Sequence, residues 1–252
     1  PMLSTFFVLT YAIVFLLLGE LRYRKKLEGF SSPRERAAYA LPIIQGVFRK
    51  ILRLSHVTVE VEGMENLTSI PKEEGVLFVG NHRSYFDVII GYTLVDRPTG
   101  FIAKIEMEKI KPLRRWMEAL GCLFMDRNNL KQSLKVIIAA IKEIREGISV
   151  WIYPEGTRSE GASELEMEPF KEGSFKVAEK TGCKIVPVSM IHTREILEAH
   201  FPSIKPQHIK VCIGTPIELK QLSEEEQKHI GSYVQHAVKA DLEAMLQEEK
   251  NA

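Results

Sequence analysis

The sequence predicts an α/β fold: a largely parallel sheet flanked by helices, preceded by an N-terminal two-helix hairpin that anchors the chain to a membrane. Three observations carry this. Beyond residue 56, short β-branched runs alternate with stretches of helical periodicity, the pattern of strand–helix–strand units. Before residue 56, an uncharged apolar run and a second segment with basic ends show no such alternation. Polar clusters also stand directly after several apolar runs, where ligands of parallel sheets bind. The expected division is residues 1–55 for the two-helix motif and 56–252 for the α/β domain.

Composition bounds the reading. With 252 residues, 45% hydrophobic and 27% charged, the chain is long enough to bury a core without staples. A net charge of +1 gives no general case for a nucleic-acid partner. It hides an asymmetry, however. Residues 1–60 hold nine Lys/Arg and four Asp/Glu, a net of +5, and the remainder holds 25 and 29, a net of −4. Cys122, Cys183 and Cys212 lie far apart with no C-x-x-C pair, so they read as reduced small hydrophobes rather than zinc ligands or a disulfide framework. Pro1 ahead of Met2 reads as an expression remnant.

Pro1 to Gly19 carries no charge, and its apolar heart is Phe6 to Leu18. As a helix, 19 residues span about 28 Å against a hydrocarbon core of about 30 Å. The basic cluster Arg22, Arg24, Lys25 and Lys26 follows this run, which keeps the rest of the chain on the cytoplasmic side. From about Pro33 to Leu54, Arg34, Arg36, Arg49, Lys50 and Arg53 bracket an uncharged stretch interrupted by Pro42 and Gly46. Together the segments read as a hairpin held in one leaflet with its cations at anionic headgroups. A single span followed by an ordinary packed helix is the alternative.

In the body, Val57 to Val61 reads as a half-buried strand and Val76 to Val79 as a buried one. Tyr85 to Leu94 reads as a helix, Phe101 to Ala103 as a strand, Glu106 to Ala119 as a helix and Cys122 to Met125 as a strand. Leu130, Leu134, Ile137, Ile138, Ile141 and Ile144 fall at helical spacing, and Gly147 is placed to stop that helix. Strands follow at Ile148 to Tyr153, Lys184 to Ser189 and Ile209 to Ile213, with Pro187 marking an edge or a bulge. Residues 160–169 read as an acidic solvated loop. Ser223 and Glu226 form a capping box, after which Ile230, Val234, Val238 and Met245 face one side of a long helix.

The chemistry concentrates after three strands. Asn81 to Asp87 (NHRSYFD) sets His82 and Asp87 five residues apart across a strand-to-helix turn. Seven His and four Asp in this length give about 0.1 chance matches to that spacing. A second match, His236 and Asp241, lies inside the C-terminal helix, where five positions rotate by about 140° and turn the side chains apart. At a turn, chain reversal can bring carboxylate and imidazole together. A hydroxyl attacking an acyl carbonyl needs a base, and a positioned His contributes about 10² to 10⁴ in rate. Arg127, in GCLFMDR at 121–127, and Arg158, in YPEGTRS at 153–159, stand at strand ends, where guanidinium forks suit phosphate and Gly156 permits close backbone approach. Lys104, ending another strand, adds a third cation. No nucleophile elbow, Walker A or dinucleotide fingerprint occurs.

These blocks resemble the glycerolipid acyltransferase family and are similar in kind to its bacterial 1-acyl-sn-glycerol-3-phosphate (lysophosphatidic acid) acyltransferases. The four family blocks occur in order: NHRSYFD, GCLFMDR, YPEGTRS and VPVS at 186–189. FIAKIEM at 101–107 and FKEGSF at 170–175 also look like the family, so the resemblance covers about residues 57–215. Tyr153 stands where Phe is commoner, a mild departure. The resemblance implies that His82 is the base and Asp87 its partner. It implies that Arg127 and the Glu155–Gly156–Thr157–Arg158 block bind the acceptor's phosphate. Lys104 is expected to add to that charge, and Glu155 and Ser84 to support the acceptor site.

The expected function is acyl transfer from an acyl thioester, on coenzyme A or acyl carrier protein, to the sn-2 hydroxyl of lysophosphatidic acid. The expected place is the cytoplasmic face of the inner membrane. No metal or cofactor is expected, the thioester being a co-substrate. N–H groups near the start of the helix after His82 are the expected oxyanion donors. Other acceptors, such as glycerol 3-phosphate or another lysophospholipid, and a non-catalytic lipid-binding protein stay open as alternatives.

Overall fold

A computed structural model describes residues 2–251, and Pro1 lies outside the described residues. Among these residues the strands β1 (Val57–Glu62), β2 (Leu77–Gly80), β3 (Thr99–Lys104), β4 (Leu123–Met125), β5 (Ser149–Ile152), β6 (Ile185–Ile191) and β7 (Gln207–Ile213) build one seven-stranded sheet. Their order is β1-β7-β6-β2-β5-β3-β4. Every neighbouring pair is parallel except β6–β7. The register matters for function. Val79 pairs Ile152, Phe101 pairs Trp151 and Lys104 pairs Met125, so β2, β5, β3 and β4 end level on one edge of the sheet.

Alternation along the strands divides the core into two layers. Phe78, Trp151 and Phe101 point to one face. There they meet α1 (Met2–Glu28), α2 (Pro33–Leu54), α4 (Phe86–Leu94) and α5 (Lys111–Leu120). Leu77, Val79, Val150 and Ile152 point to the other face, against α6 (Leu130–Arg145), α7 (Lys176–Thr181) and α9 (Ile230–Asn251). Two short helices, α3 (Met64–Thr68) and α8 (Glu224–Lys228), complete the chain, and the Ser223–Glu226 capping box opens α8. Arg97 is fully buried near α3, where its guanidinium donates to the carbonyls of Leu67, Ile70, Pro71 and Glu74.

The two N-terminal helices behave differently. α1 is 27 residues, about 40 Å, and leaves Leu3, Phe6, Ile13, Leu17, Leu18 and Leu21 more than half exposed. It touches the body at few points. Trp116 packs on Phe15 and Tyr23, Gly19 admits the indole, Glu20 pairs with Arg115, and Thr5 Oγ1 accepts the Ile204 N–H. α2 starts at a Ser32 cap followed by Pro33. It buries Ala37, Ala40, Leu41, Ile44, Val47, Ile51 and Leu52 against the body, and Gln45 Nε2 donates to the carbonyls of Tyr92 and Val95.

One sequence expectation is corrected and another is narrowed. The helix expected over Glu106 to Ala119 is a 3₁₀ turn, Ile105–Lys109, followed by α5. Pro112, which has no N–H to give, falls in the first turn of α5 and forces a new start. Of the apolar positions spaced along α6, Ile137, Ile141 and Ile144 face the core. Val136, Ala140 and Ile144 are buried while Leu130, Leu134 and Ile138 are exposed, because the sheet ends beneath them at the three-residue edge strand β4. Pro187 lies in an interior strand, at the bulge rather than the edge that the sequence allowed: residues 214–216 face Val186 and Pro187 between two paired positions. Its carbonyl accepts Gly214 N–H on the β7 side, so its missing donor faces the irregular stretch between the Val188–Ile213 pair and the Ile185–Ile217 bridge.

Candidate active site

The level strand ends place four chain segments side by side. Asn81–Asp87 leaves β2, Tyr153–Ser159 leaves β5, Lys104 ends β3 and Asp126–Arg127 leaves β4. With strands about 4.8 Å apart, Arg127 stands roughly 14 Å along the edge from His82.

His82 and Asp87 are joined across the turn. His82 Nδ1 lies 2.8 Å from Asp87 Oδ2. The same oxygen accepts the N–H groups of Arg83 at 2.7 Å and Ser84 at 2.8 Å, which anchors the carboxylate at the start of α4. Asp87 is 1% exposed and the His82 side chain 16%, so solvent reaches the ring and not the acid. Because Oδ2 is an acceptor for all three donors, Nδ1 carries the proton and Nε2 presents its lone pair. The imidazole stacks on the Tyr153 ring, centroids 4.0 Å apart and 12° from parallel. Its backbone is pinned at both ends: His82 N–H donates to Glu155 Oε1, and Ser159 N–H donates to the His82 carbonyl at 2.7 Å. Asn81 ties the preceding residue to β6 through paired bonds to the Met190 backbone.

Glu155 is buried, and its second oxygen accepts Glu168 N–H. Burial lifts its carboxyl to about 7, against the pull of those two N–H groups. Burial also pushes the Tyr153 hydroxyl well above 10, with Asp87 adding to the rise. Gly156 takes φ +82, and a Cβ there would come within 2.5 Å of Lys171 Nζ. The turn therefore requires glycine, and a lysine unassigned from sequence stands beside it. Thr157 and Arg158 keep backbone N–H groups without hydrogen bonds among the described residues.

Arg158 is held rather than free. It donates to Glu198 Oε1 at 3.1 Å and lies over the Tyr85 ring, 4.0 Å from the centroid. Arg127 makes no hydrogen bond among the described residues. Partial burial lowers its pKa, and Glu106 opposes that shift. Lys104 is exposed at the end of β3. Ser84 is fully buried and its Oγ accepts Phe86 N–H, so it shapes the turn and does not face a ligand.

Two expectations change here. The N–H groups at the start of α4 are all engaged: Arg83 and Ser84 on Asp87, Tyr85 on Glu198 and Phe86 on Ser84. Thr157 and Arg158 are the free donors instead. The acidic loop at 160–169 is solvated at Glu160, Glu166 and Glu168 but tied into the site at Glu164. Glu164 is buried, accepts His192 N–H and lies 4.0 Å from the buried Arg83 guanidinium, whose Nη2 donates to Gly161 O. Sequence reasoning missed Arg83, Glu164, Lys171 and Glu198 as parts of this wall. Only Arg83 and Lys171, inside quoted blocks, carried any signal. His236 bonds its own helix at Ser232 O, away from Asp241. Glu164, His192 and Glu195 gather side-chain ligand atoms within 4.8 Å of one another, and His192 Nε2 already bonds Glu249 at 2.7 Å.

Comparison with known proteins agrees with this geometry. A family model described as acyltransferase matches residues 58–191, more than half of the chain. A 1-acyl-sn-glycerol-3-phosphate acyltransferase of Borreliella burgdorferi is 29% identical over 77% of this chain and 75% of its own length. A probable 1-acyl-sn-glycerol-3-phosphate acyltransferase of Mycoplasma pneumoniae is 30% identical over 74% of each chain. The crystal structure of the 1-acyl-sn-glycerophosphate (LPA) acyltransferase from Thermotoga maritima shares the fold, with a TM-score of 0.79 over 96% of both chains at 24% identity. The matched stretch runs from β1 through β6 and carries the His82–Asp87 pair, and on that ground the chain belongs to the acyltransferase family.

Proposed function

We propose that the protein transfers a fatty acyl group from an acyl thioester to the sn-2 hydroxyl of 1-acyl-sn-glycerol-3-phosphate, giving phosphatidic acid for phospholipid synthesis. The observation that carries this reading is the His82 ring, fixed by Asp87 on Nδ1 and partly reached by solvent. Nε2 takes the hydroxyl proton as the oxygen attacks the thioester carbonyl. The tetrahedral oxyanion collapses, the C–S bond breaks, and the thiolate leaves with the proton that His82 gained. In this reading the Thr157 and Arg158 N–H groups receive the oxyanion. No cofactor enters the step.

The acceptor's phosphate carries roughly −1.5 to −2 charge. In this reading Arg127, with no internal hydrogen bond to give up, takes it together with Arg158 and Lys104, and Gly156 and Thr157 allow close approach. Arg158 exchanges Glu198 for phosphate on binding. Glu155 holds the His82 backbone. Residues 1–55 attach the chain to the bilayer through α1, which is long and apolar enough to cross a membrane and exposes its apolar side. α2 couples that helix to residues 56–252, which carry the chemistry at the cytoplasmic face of the inner membrane.

The test is incubation with acyl-CoA and lysophosphatidic acid in mixed micelles, followed by mass spectrometry of the lipid product. Phosphatidic acid is the expected product. Turnover only with glycerol 3-phosphate or another lysophospholipid would change the acceptor. Absence of thiol release with every acceptor would leave a lipid-binding protein without catalysis.

A further inference from the structure

We propose that α6 is the docking surface for an acidic carrier protein that delivers the acyl thioester. The proposal rests on the acyl-transfer reading and supplies the partner that reading leaves open. Leu130, Leu134 and Ile138 stand four residues apart on α6 and are 77%, 55% and 66% exposed. At 100° per residue, they share with Lys131 and Lys135 an arc of about 140°. Both lysines are exposed and make no ion pair among the described residues. From Arg127 through Lys142 the chain carries four cations and no carboxylate, although residues 61–252 are net −4. An apolar stripe beside unpaired lysines complements a surface that mixes carboxylates with apolar side chains.

The stripe begins at the site. Asn129 caps α6 by accepting Gln132 N–H, Gln132 Nε2 donates to Phe124 O at 2.7 Å, and Ser133 Oγ donates to Asp126 O. The first turn of α6 is thus tied to the end of β4, three residues from Arg127. A carrier seated on α6 stands beside the strand ends and can feed its thioester to His82. A bilayer is the other candidate occupant, and the layering argues against it. α1 packs on the sheet face of Phe78 and Trp151, whereas α6 packs on the opposite face with Val150 and Ile152. With α1 in the membrane plane, as in a hairpin held in one leaflet, the bilayer meets the other layer.

The test compares donors. The full-length parent and a Leu134→Glu, Lys135→Glu variant are assayed with the same acyl chain on acyl carrier protein and on coenzyme A, and carrier binding is measured by fluorescence anisotropy in detergent. The expected result is a rise of about tenfold or more in KM and in carrier Kd for the variant, with the acyl-CoA parameters unchanged. Equal loss with both donors, or unchanged carrier binding, would overturn the docking site. Loss of liposome binding with both donors unaffected would reassign the stripe to the membrane and also overturn it. Carrier binding that depends on the two residues, in a protein that turns over neither donor, would sink the acyl-transfer reading while leaving the docking site standing.

Discussion

Asp87 shows how few atoms define the site at the residue scale. One oxygen holds an imidazole and two backbone N–H groups, so the acid fixes both the catalytic ring and the turn that presents it. Charge-assisted bonds of this kind contribute about 1.5–3 kcal/mol each. Glu155 supports the same turn from β5, and its titration has a readable sign. Its native carboxyl sits near 7 instead of 4.5, so the folded chain holds that proton more tightly than the unfolded chain. The associated stability is complete below pH 4.5 and is lost as pH rises toward 7. Glu143, lifted to about 7 by burial, acts in the same window. Thermal melts of Glu155→Gln should therefore flatten between pH 4.5 and 7 relative to the parent, and Glu143→Gln should do the same. An unchanged slope in both variants would contradict the assignment. Arg127→Ala should raise the acceptor KM by about tenfold with a smaller effect on kcat, since a phosphate contact binds ground and transition states alike. Steady-state kinetics with varied lysophosphatidic acid measures this, and an unmoved KM would remove Arg127 from the site. His82, Asp87 and the Glu155–Arg158 block were legible in the sequence because each follows an apolar run that reads as a buried strand. Glu198 was not. It bonds Tyr85, 113 residues away, and no local pattern announces a pairing made only by the fold.

At the scale of elements, the strand ends work because adjacent strands stay in register. Gly100 on β3 lies against the Gly121 backbone at the α5–β4 turn, and a Cβ there would come within 2.0 Å of Gly121 O. Gly100→Ala must push the start of β4 away, at a cost of about 1–3 kcal/mol or more, and shift Arg127 with it. Denaturant titration should show that loss together with a raised acceptor KM. Full stability in this variant would show that the close approach is dispensable. Strand positions were readable within about two residues from β-branched runs and flanking breakers. The break before α5 was overlooked because Ile105 to Leu120 keeps an apolar helical spacing, and Pro112 was not given the weight of a helix start. The cover over α6 was not legible for a related reason. Periodicity tells where apolar side chains fall on a helix, and only the edge position of β4 decides which of them find cover.

The whole molecule joins two surfaces of different chemistry: an exposed apolar helix on one layer and a cationic strand-end edge. The proposed role of α1 predicts that Ile13→Glu with Leu17→Glu, two substitutions on its exposed face, should abolish flotation with anionic liposomes. The soluble fold should melt as before, because neither side chain is buried. Retained flotation would place membrane attachment elsewhere. The exposed apolar run of α1 was visible in composition and charge. The firm seating of α2 in the body was not, because its cations at both ends resemble a headgroup-facing segment until its buried face is seen.

The most direct test of the account is the rate of thiol release from acyl-CoA in the presence of lysophosphatidic acid, compared between the parent and His82→Ala. The expected result is a fall of about 10² to 10⁴ or more in a variant that still unfolds cooperatively, since it loses one bond to Asp87 and the Tyr153 stack while the Arg83 and Ser84 N–H groups still hold the carboxylate. A variant that releases thiol within a few fold of the parent would contradict the assignment of His82 as the base.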